Sequence, residues 1–464
     1  MAILYSAAAG LLLAMLYAAS PLTIWLIAAL PFVFVLAGRG LPLEERRWLF
    51  VMLGVALLAR AALIVAGFVL AIPQLNDMSV GGLAGDQAYN LGRALRTRDI
   101  LLGFAHTRYD YFVALDEYGR SLYISLITWL QIALGPSPYS LRLLNAVWFV
   151  IAAAALFRTA RNAFGPVPAF VGLAILLGLP SLLFSSTTVS KESLFFLASV
   201  TAFVVSVRAL RSWRPRDVIV AIAVLGICVW MLNDLRRMSA VLTVAGLGLG
   251  LLLYIVTRRQ WLTTATAALL LAALALVVLQ PPLRERALSA VMFMAKTHAG
   301  NVFTVGHAYK LMDEGFYVTP TFAQTWDMEI TEAQAARYLI RAATSFFVTP
   351  LPWEMTSRAE LAFLPEHMMW YVLAALFPVG VVAGWRRDPL LTSMLIGYLS
   401  PTAAVVALTN GNVGTLLRMR GLVTPYMVWI SALGMVVIVD ALIRRRRQSA
   451  RSVSADFALE GPAV

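Results

Sequence analysis

Residues 191–216, KESLFFLASVTAFVVSVRALRSWRPR, carry the pattern that decides the architecture. Lysine and glutamate open the stretch, an apolar run follows over 192–209, and Arg208, Arg211, Arg214 and Arg216 close it. A helix needs about 20 mostly apolar residues to cross the hydrocarbon core of a bilayer. Arginines and lysines in short loops collect on the cytoplasmic side. The stretch therefore reads as a membrane-spanning helix with its basic end inside. Lys191 and Glu192 then lie at the opposite surface.

The same pattern repeats outward in both directions. Further apolar spans are predicted near 2–18, 21–37, 48–72, 140–157, 166–184, 217–232, 239–257, 261–279, 368–384, 390–409 and 422–443. With 192–209 they make about a dozen crossings. The first 19 residues lack a basic leader, and the next apolar run follows at once after Ser20-Pro21, so they read as a span and not as a signal peptide. Arg39, Arg46 and Arg47, then Arg158 and Arg161, Arg258 and Arg259, Arg386 and Arg387, and Arg444 to Arg447 all fall on the same side when the spans alternate. Both termini are then expected in the cytoplasm, with the chain integral to the plasma (inner) membrane.

Composition agrees. The 464 residues are 60% hydrophobic and 13% charged, with a mean hydropathy of +0.79, whereas soluble domains carry about 25% charged residues. A formal net charge of +13 is accounted for by arginines flanking spans, so nucleic acid is not an expected partner and membrane lipids are. The one cysteine, Cys228, excludes an internal disulfide or a cysteine-based metal cluster. Sequence signatures of nucleotide-driven or zinc-dependent hydrolytic chemistry are absent.

Residues 121–135, SLYISLITWLQIALG, are apolar but short and hold Ser125, Thr128 and Gln131. Counting them as a crossing would turn the arginine cluster at 208–216 outward, so a re-entrant or interfacial helix is expected. It would lie in a first outer loop spanning 73–139. A larger late outer loop, 281–367, is expected to hold surface helices beside the bilayer, and the tail from 448 is expected to be disordered. In domain terms, 1–47 supplies two N-terminal spans and 48–280 a transmembrane core. Residues 281–367 supply the late loop, 368–447 the last spans, and 448–464 the tail.

Charged residues on the outer side are the candidates for chemistry. Asp86 stands in Gly85-Asp86-Gln87-Ala88-Tyr89-Asn90, at the start of a short amphipathic helical pattern with Tyr89 and Arg93 one turn apart. A carboxylate there suits a general base acting on a hydroxyl; its plain structural role would be a helix cap. Lys191 and Glu192 could neutralise and position a phosphate, or simply snorkel and favour the helix dipole. Asn233-Asp234-Leu235-Arg236-Arg237 sits in a very short outer turn, where two arginines run against the usual charge bias. Guanidinium forks match phosphate oxygens. Residues 410–421 offer glycine and asparagine backbone amides, with Arg418 and Arg420 supplying charge. Arg60, near the middle of a span, is expected to face protein or a water-filled cavity. His298 and His307 lack metal-ligand spacing.

Ordered along the chain, these pieces resemble the GT-C class of polytopic membrane glycosyltransferases, which use polyprenyl-linked sugars; protein mannosyltransferases and aminoarabinose transferases are examples. The resemblance covers about 73–212. It rests on Gly85-Asp86 with Tyr89, the short helix ending in Gly135-Pro136-Ser137-Pro138, and Leu141-Arg142-Leu143-Leu144-Asn145-Ala146. Arg158, Arg161, Phe164-Gly165, Pro180 and the hydroxyl-rich approach to Lys191-Glu192 complete it. The resemblance implies an all-α fold, a polyprenyl-phosphate-linked sugar donor and a glycan, lipid or protein acceptor. It also implies Asp86 and Glu192 as catalytic acidic groups. Tyr89, Lys191, Asp234, Arg236, Arg237, Arg418 and Arg420 are the expected substrate-binding set. No cofactor is required, since side chains can meet the leaving group's charge; Mg or Mn is compatible. The chain departs from the class in its two additional N-terminal spans and its single acidic residue at 86. Two other readings carry different expectations: an O-antigen ligase or polymerase would depend on His298 or His307, and a lipid-linked sugar flippase would form no covalent product.

Overall fold

A computed structural model describes residues 5–6, 20–69, 85–115, 121–302, 331–355, 358–410 and 413–459. Those residues form helices and connecting turns, with no strand among them. The first helices are α1 (Pro21–Gly38), α2 (Leu43–Val69), α3 (Gly85–Leu101), α4 (Arg108–Leu115), α5 (Leu122–Leu134) and α6 (Pro138–Phe164). Next come α7 (Pro166–Gly178), α8 (Pro180–Ser185), α9 (Glu192–Ser212), α10 (Pro215–Leu235), α11 (Ser239–Thr257) and α12 (Gln260–Leu279). The remainder are α13 (Pro281–Val302), α14 (Glu332–Val348), α15 (Arg358–Arg387), α16 (Pro389–Thr409), α17 (Val413–Arg420) and α18 (Thr424–Leu459).

Ten of the described helices are long and apolar enough to cross a bilayer: α1, α2, α6, α9 to α12, α15, α16 and α18. The protein is thus a polytopic α-helical membrane protein, with ten such helices among the described residues where about a dozen crossings are expected. Apart from residues 5–6, the expected span at 2–18 lies outside the described residues. The one at 166–184 is not a single helix, because α7 ends at Gly178 and α8 restarts at Pro180. Proline has no N–H for the ladder. The next amide, Ser181, donates to Glu366 Oε2 at 2.7 Å instead. The segment at 121–135 is the 13-residue α5, about 20 Å long and too short to span. At the far end, α18 runs on through Leu459, so 448–459 is helical where a disordered tail was expected. Extending a formed helix costs little beside nucleating one, and this stretch holds alanine, arginine and glutamine, which favour helix.

Close helix contacts are made at glycines. Gly246 and Gly250 of α11 lie against Gly397, Tyr398 and Met394 of α16, and a Cβ added to Gly397 would collide with the Gly250 backbone. Gly380 of α15 and Gly434 of α18 meet in the same way. Such small-residue seams let helix backbones approach where lipid offers no hydrophobic drive for association.

The bundle has two chemically distinct ends. At one, Arg161 pairs with Glu45 at 2.8 Å and Arg158 donates to the Ala37 carbonyl at 2.8 Å. Arg387 donates to the Phe164 carbonyl at 2.7 Å, and Arg211 pairs with Asp388. Arginines from loops far apart in sequence therefore share one end, the grouping expected from charge bias. The other end holds the starts of α3, α6 and α9 and the end of α10.

Candidate functional site

A cavity of about 90 Å³ opens among α6, α8, α9, α17 and α18 at the end opposite the arginine clusters. Glu192, Arg236 and Arg418 contribute its charged lining, Ser181, Ser185 and Ser193 hydroxyls, and Phe149 and Tyr426 rings. Ser199 also lines it, seven residues beyond Glu192, or about 10 Å deeper along α9. There its hydroxyl bonds Tyr398 at 2.8 Å and also Tyr426.

Local structure explains why the charges meet. Glu192 is the first residue of α9 and Arg236 the C-cap of α10, positions where the helix dipole favours an anion and a cation respectively. The chain turns sharply after Arg236, with Met238 in the left-handed region at φ 68° and the Ser239 amide donating back to the Arg236 carbonyl at 3.1 Å. Arg236 Nη2 then reaches Glu192 Oε1 at 2.8 Å, the two side chains being 15% and 24% exposed. The guanidinium lies over the Phe195 ring at 5.5 Å, and its Nη1 faces Met419 Sδ at 3.3 Å. Arg418 and Ser190 are also within interaction range of the Glu192 carboxylate.

The turn leading into Lys191 and Glu192 is held from three directions. Asn145 Nδ2 donates to the carbonyls of Thr188 at 2.6 Å and Ser190 at 3.1 Å. From α3, Gln87 Oε1 accepts the Val189 amide at 3.2 Å while Asn90 Nδ2 donates to the Val189 carbonyl at 3.2 Å. Arg60, fully buried, donates to Ser186 Oγ at 2.8 Å and the Leu177 carbonyl at 3.4 Å. It also lies 4.6 Å from the Phe149 ring centre. Arg60 thus faces protein, as a charge within a span should. Asp86 belongs to the first turn of α3, one residue before Gln87; its side chain is outside the described residues.

Other expected site residues have different occupations. Asp234 accepts the backbone amide of Leu122 and so closes the start of α5. Arg420 is not part of the cavity lining. Its Nη2 donates to the carbonyls of Ser345 at 3.0 Å and Thr349 at 2.6 Å, with its guanidinium 4.9 Å from the Trp370 ring centre. That engages it at the C-terminal end of α14, and burial lowers it to about 9. Tyr89 Oη accepts from Arg93 at 2.6 Å, matching their one-turn spacing. Lys191 is half-buried at the N-cap of α9, and Arg237 is exposed in the neighbouring turn. Neither lines the cavity. His307 and the side chain of His298 lie outside the described residues.

Asn145, Gln87 and Asn90 stand within the motifs quoted above with no site role of their own, and Glu366 stands outside those motifs. The available signal was an amide or carboxylate at the edge of an apolar run, as in Leu144-Asn145-Ala146. Among the described residues, no three of histidine, cysteine, aspartate and glutamate gather to hold a metal ion.

Residues 120–284, just over a third of the chain, match a family model described as dolichyl-phosphate-mannose-protein mannosyltransferase. The match supports the general GT-C class and glycosyltransferase-like activity at that level. It takes in Lys191, Glu192, Asp234, Arg236 and Arg237, and excludes Asp86, Arg418 and Arg420. No curated protein and no solved structure matches the chain.

Proposed function

We propose that this protein transfers a sugar from a polyprenyl-phosphate-linked donor to an acceptor hydroxyl at the extracytoplasmic face. The observation that carries the reading is the convergence of Glu192, Arg236 and Arg418, from three distant segments, on one cavity. A donor of this kind keeps its chain in the lipid and its phosphate at the surface. The enzyme must then supply a base for the acceptor and cations for the departing phosphate.

In this mechanism Asp86 takes the proton of the acceptor hydroxyl as its oxygen attacks the anomeric carbon. The bond from that carbon to the phosphate oxygen breaks, and its electron pair leaves with polyprenyl phosphate. Arg236 and Arg418 meet the charge that develops on that oxygen, aided by Lys191 and Arg237 at the rim. Two guanidinium groups can do this in a site partly shielded from water, where each interaction exceeds its value in solution. The acceptor can be a glycan, a lipid or a protein.

Arg418 tests the donor half of this scheme with little risk to the fold, because it is exposed. Arg418→Ala in nanodiscs is expected to weaken binding of a polyprenyl-phosphate sugar about 10-fold, the worth of one charge-assisted contact. An unchanged donor affinity would remove Arg418 from the phosphate site.

A further inference from the structure

Three polar atoms at the charged part of the cavity make no hydrogen bond of good geometry among the described residues: Glu192 Oε2, Arg236 Nε and Ser193 Oγ, although Ser190 and Arg418 approach the Glu192 carboxylate. All three belong to residues lining the cavity, and each is shielded from solvent. Buried polar atoms are nearly always paired, and leaving one unsatisfied costs about 1–3 kcal/mol. These atoms do not ask for the same partner. Arg236 Nε can only donate, Ser193 can do either, and the Glu192 oxygen can only accept. A phosphate alone satisfies the first two and opposes the third, since two anionic oxygens would face each other. The complementary ligand presents an acceptor to Arg236 and a hydrogen-bond donor to Glu192 close beside it.

Charge decides between the two common kinds of donor. The cavity lining holds Arg236 and Arg418 against Glu192, an excess of one positive charge. The single negative charge of a phosphodiester balances that excess. An ammonium on the same ligand would restore the imbalance, whereas a hydroxyl would not. Resting on the lipid-phosphate reading above, we infer that Glu192 is a specificity-determining residue that accepts a hydrogen bond from a sugar hydroxyl next to the phosphoester. The hydroxyl nearest that linkage is the one on the carbon adjacent to the anomeric centre. Glu192 Oε1 keeps Arg236 in place at 2.8 Å, while Oε2 is the atom that reads the sugar.

Binding of three probes to the full-length protein in nanodiscs separates the possibilities: a long-chain polyprenyl phosphate, its mannosyl or glucosyl ester, and the corresponding 2-deoxy ester. Wild type is expected to bind the 2-deoxy ester about 10-fold more weakly than the intact ester, because a site built around a hydroxyl is left unpaired when it is missing. Glu192→Ala should bind the two esters within about twofold of each other while still binding bare polyprenyl phosphate through Arg236 and Arg418. A double-mutant cycle of this form isolates the contact from any general loosening of the site. Equal loss for the 2-deoxy ester in wild type and variant overturns the inference and leaves the phosphate site standing. So does a wild type indifferent to the 2-hydroxyl. Failure of wild type to bind any of the three lipids overturns the lipid-phosphate reading and this inference together.

Discussion

Asp86→Asn is expected to lower sugar transfer by about 10³-fold while leaving membrane insertion and folding intact, as general-base contributions run near 10²–10⁴. The substitution separates the two roles open to this residue. Asp86 lies in the first turn of α3, where a carboxylate also favours the helix dipole by about 0.3–1 kcal/mol. Asparagine forfeits only that modest term, so a purely structural Asp86 would tolerate the change. Loss of turnover with unchanged donor binding and an unchanged detergent melting curve would assign the loss to proton transfer. Full activity in the variant removes Asp86 from the mechanism. The geometry gives the idea its footing, because Gln87 and Asn90 of the same helix hold Val189, two residues before Lys191.

Arg236→Ala is expected to have the second large effect, and on two observables. Removing one pre-positioned group that stabilises developing charge costs about 10²–10³ in rate. The same change strips Glu192 of its 2.8 Å partner, and breaking a largely buried pair from one side costs about 3 kcal/mol. The double variant Arg236→Ala/Glu192→Ala no longer leaves a lone carboxylate, so it should regain most of the lost thermal stability. Transfer should remain at least about 100-fold down in both. Recovery of activity along with stability would mean that Arg236 serves only to neutralise Glu192.

The spans and the shared arginine end were legible because hydropathy and loop charge are local properties that the bilayer acts on directly. Glu192, Arg236 and Arg418, which line the cavity, stand out in the sequence as charges set beside apolar runs. Arg420 and Asp234 carry the same kind of charge and are in addition held by distant backbone groups. Arg420 is engaged by carbonyls 71 and 75 residues away, and Asp234 by an amide 112 residues away. Nothing next to either residue in the sequence encodes those partners. The break at Leu179-Pro180 had a visible proline, but its second cause is the carboxylate of Glu366, brought from 185 residues away. The amides of Gln87, Asn90 and Asn145 were illegible for the same reason, since their partners are backbone groups of a turn that exists only in the folded bundle.

The scheme stands on a carboxylate and guanidinium groups gathering on the non-cytoplasmic side. A membrane-impermeant maleimide, applied to intact cells carrying Asp86→Cys, Arg418→Cys or Arg446→Cys in a Cys228→Ala background, measures this directly. The first two positions are expected to label before permeabilisation and the third only after it. Labelling of positions 86 and 418 from opposite sides would contradict the account.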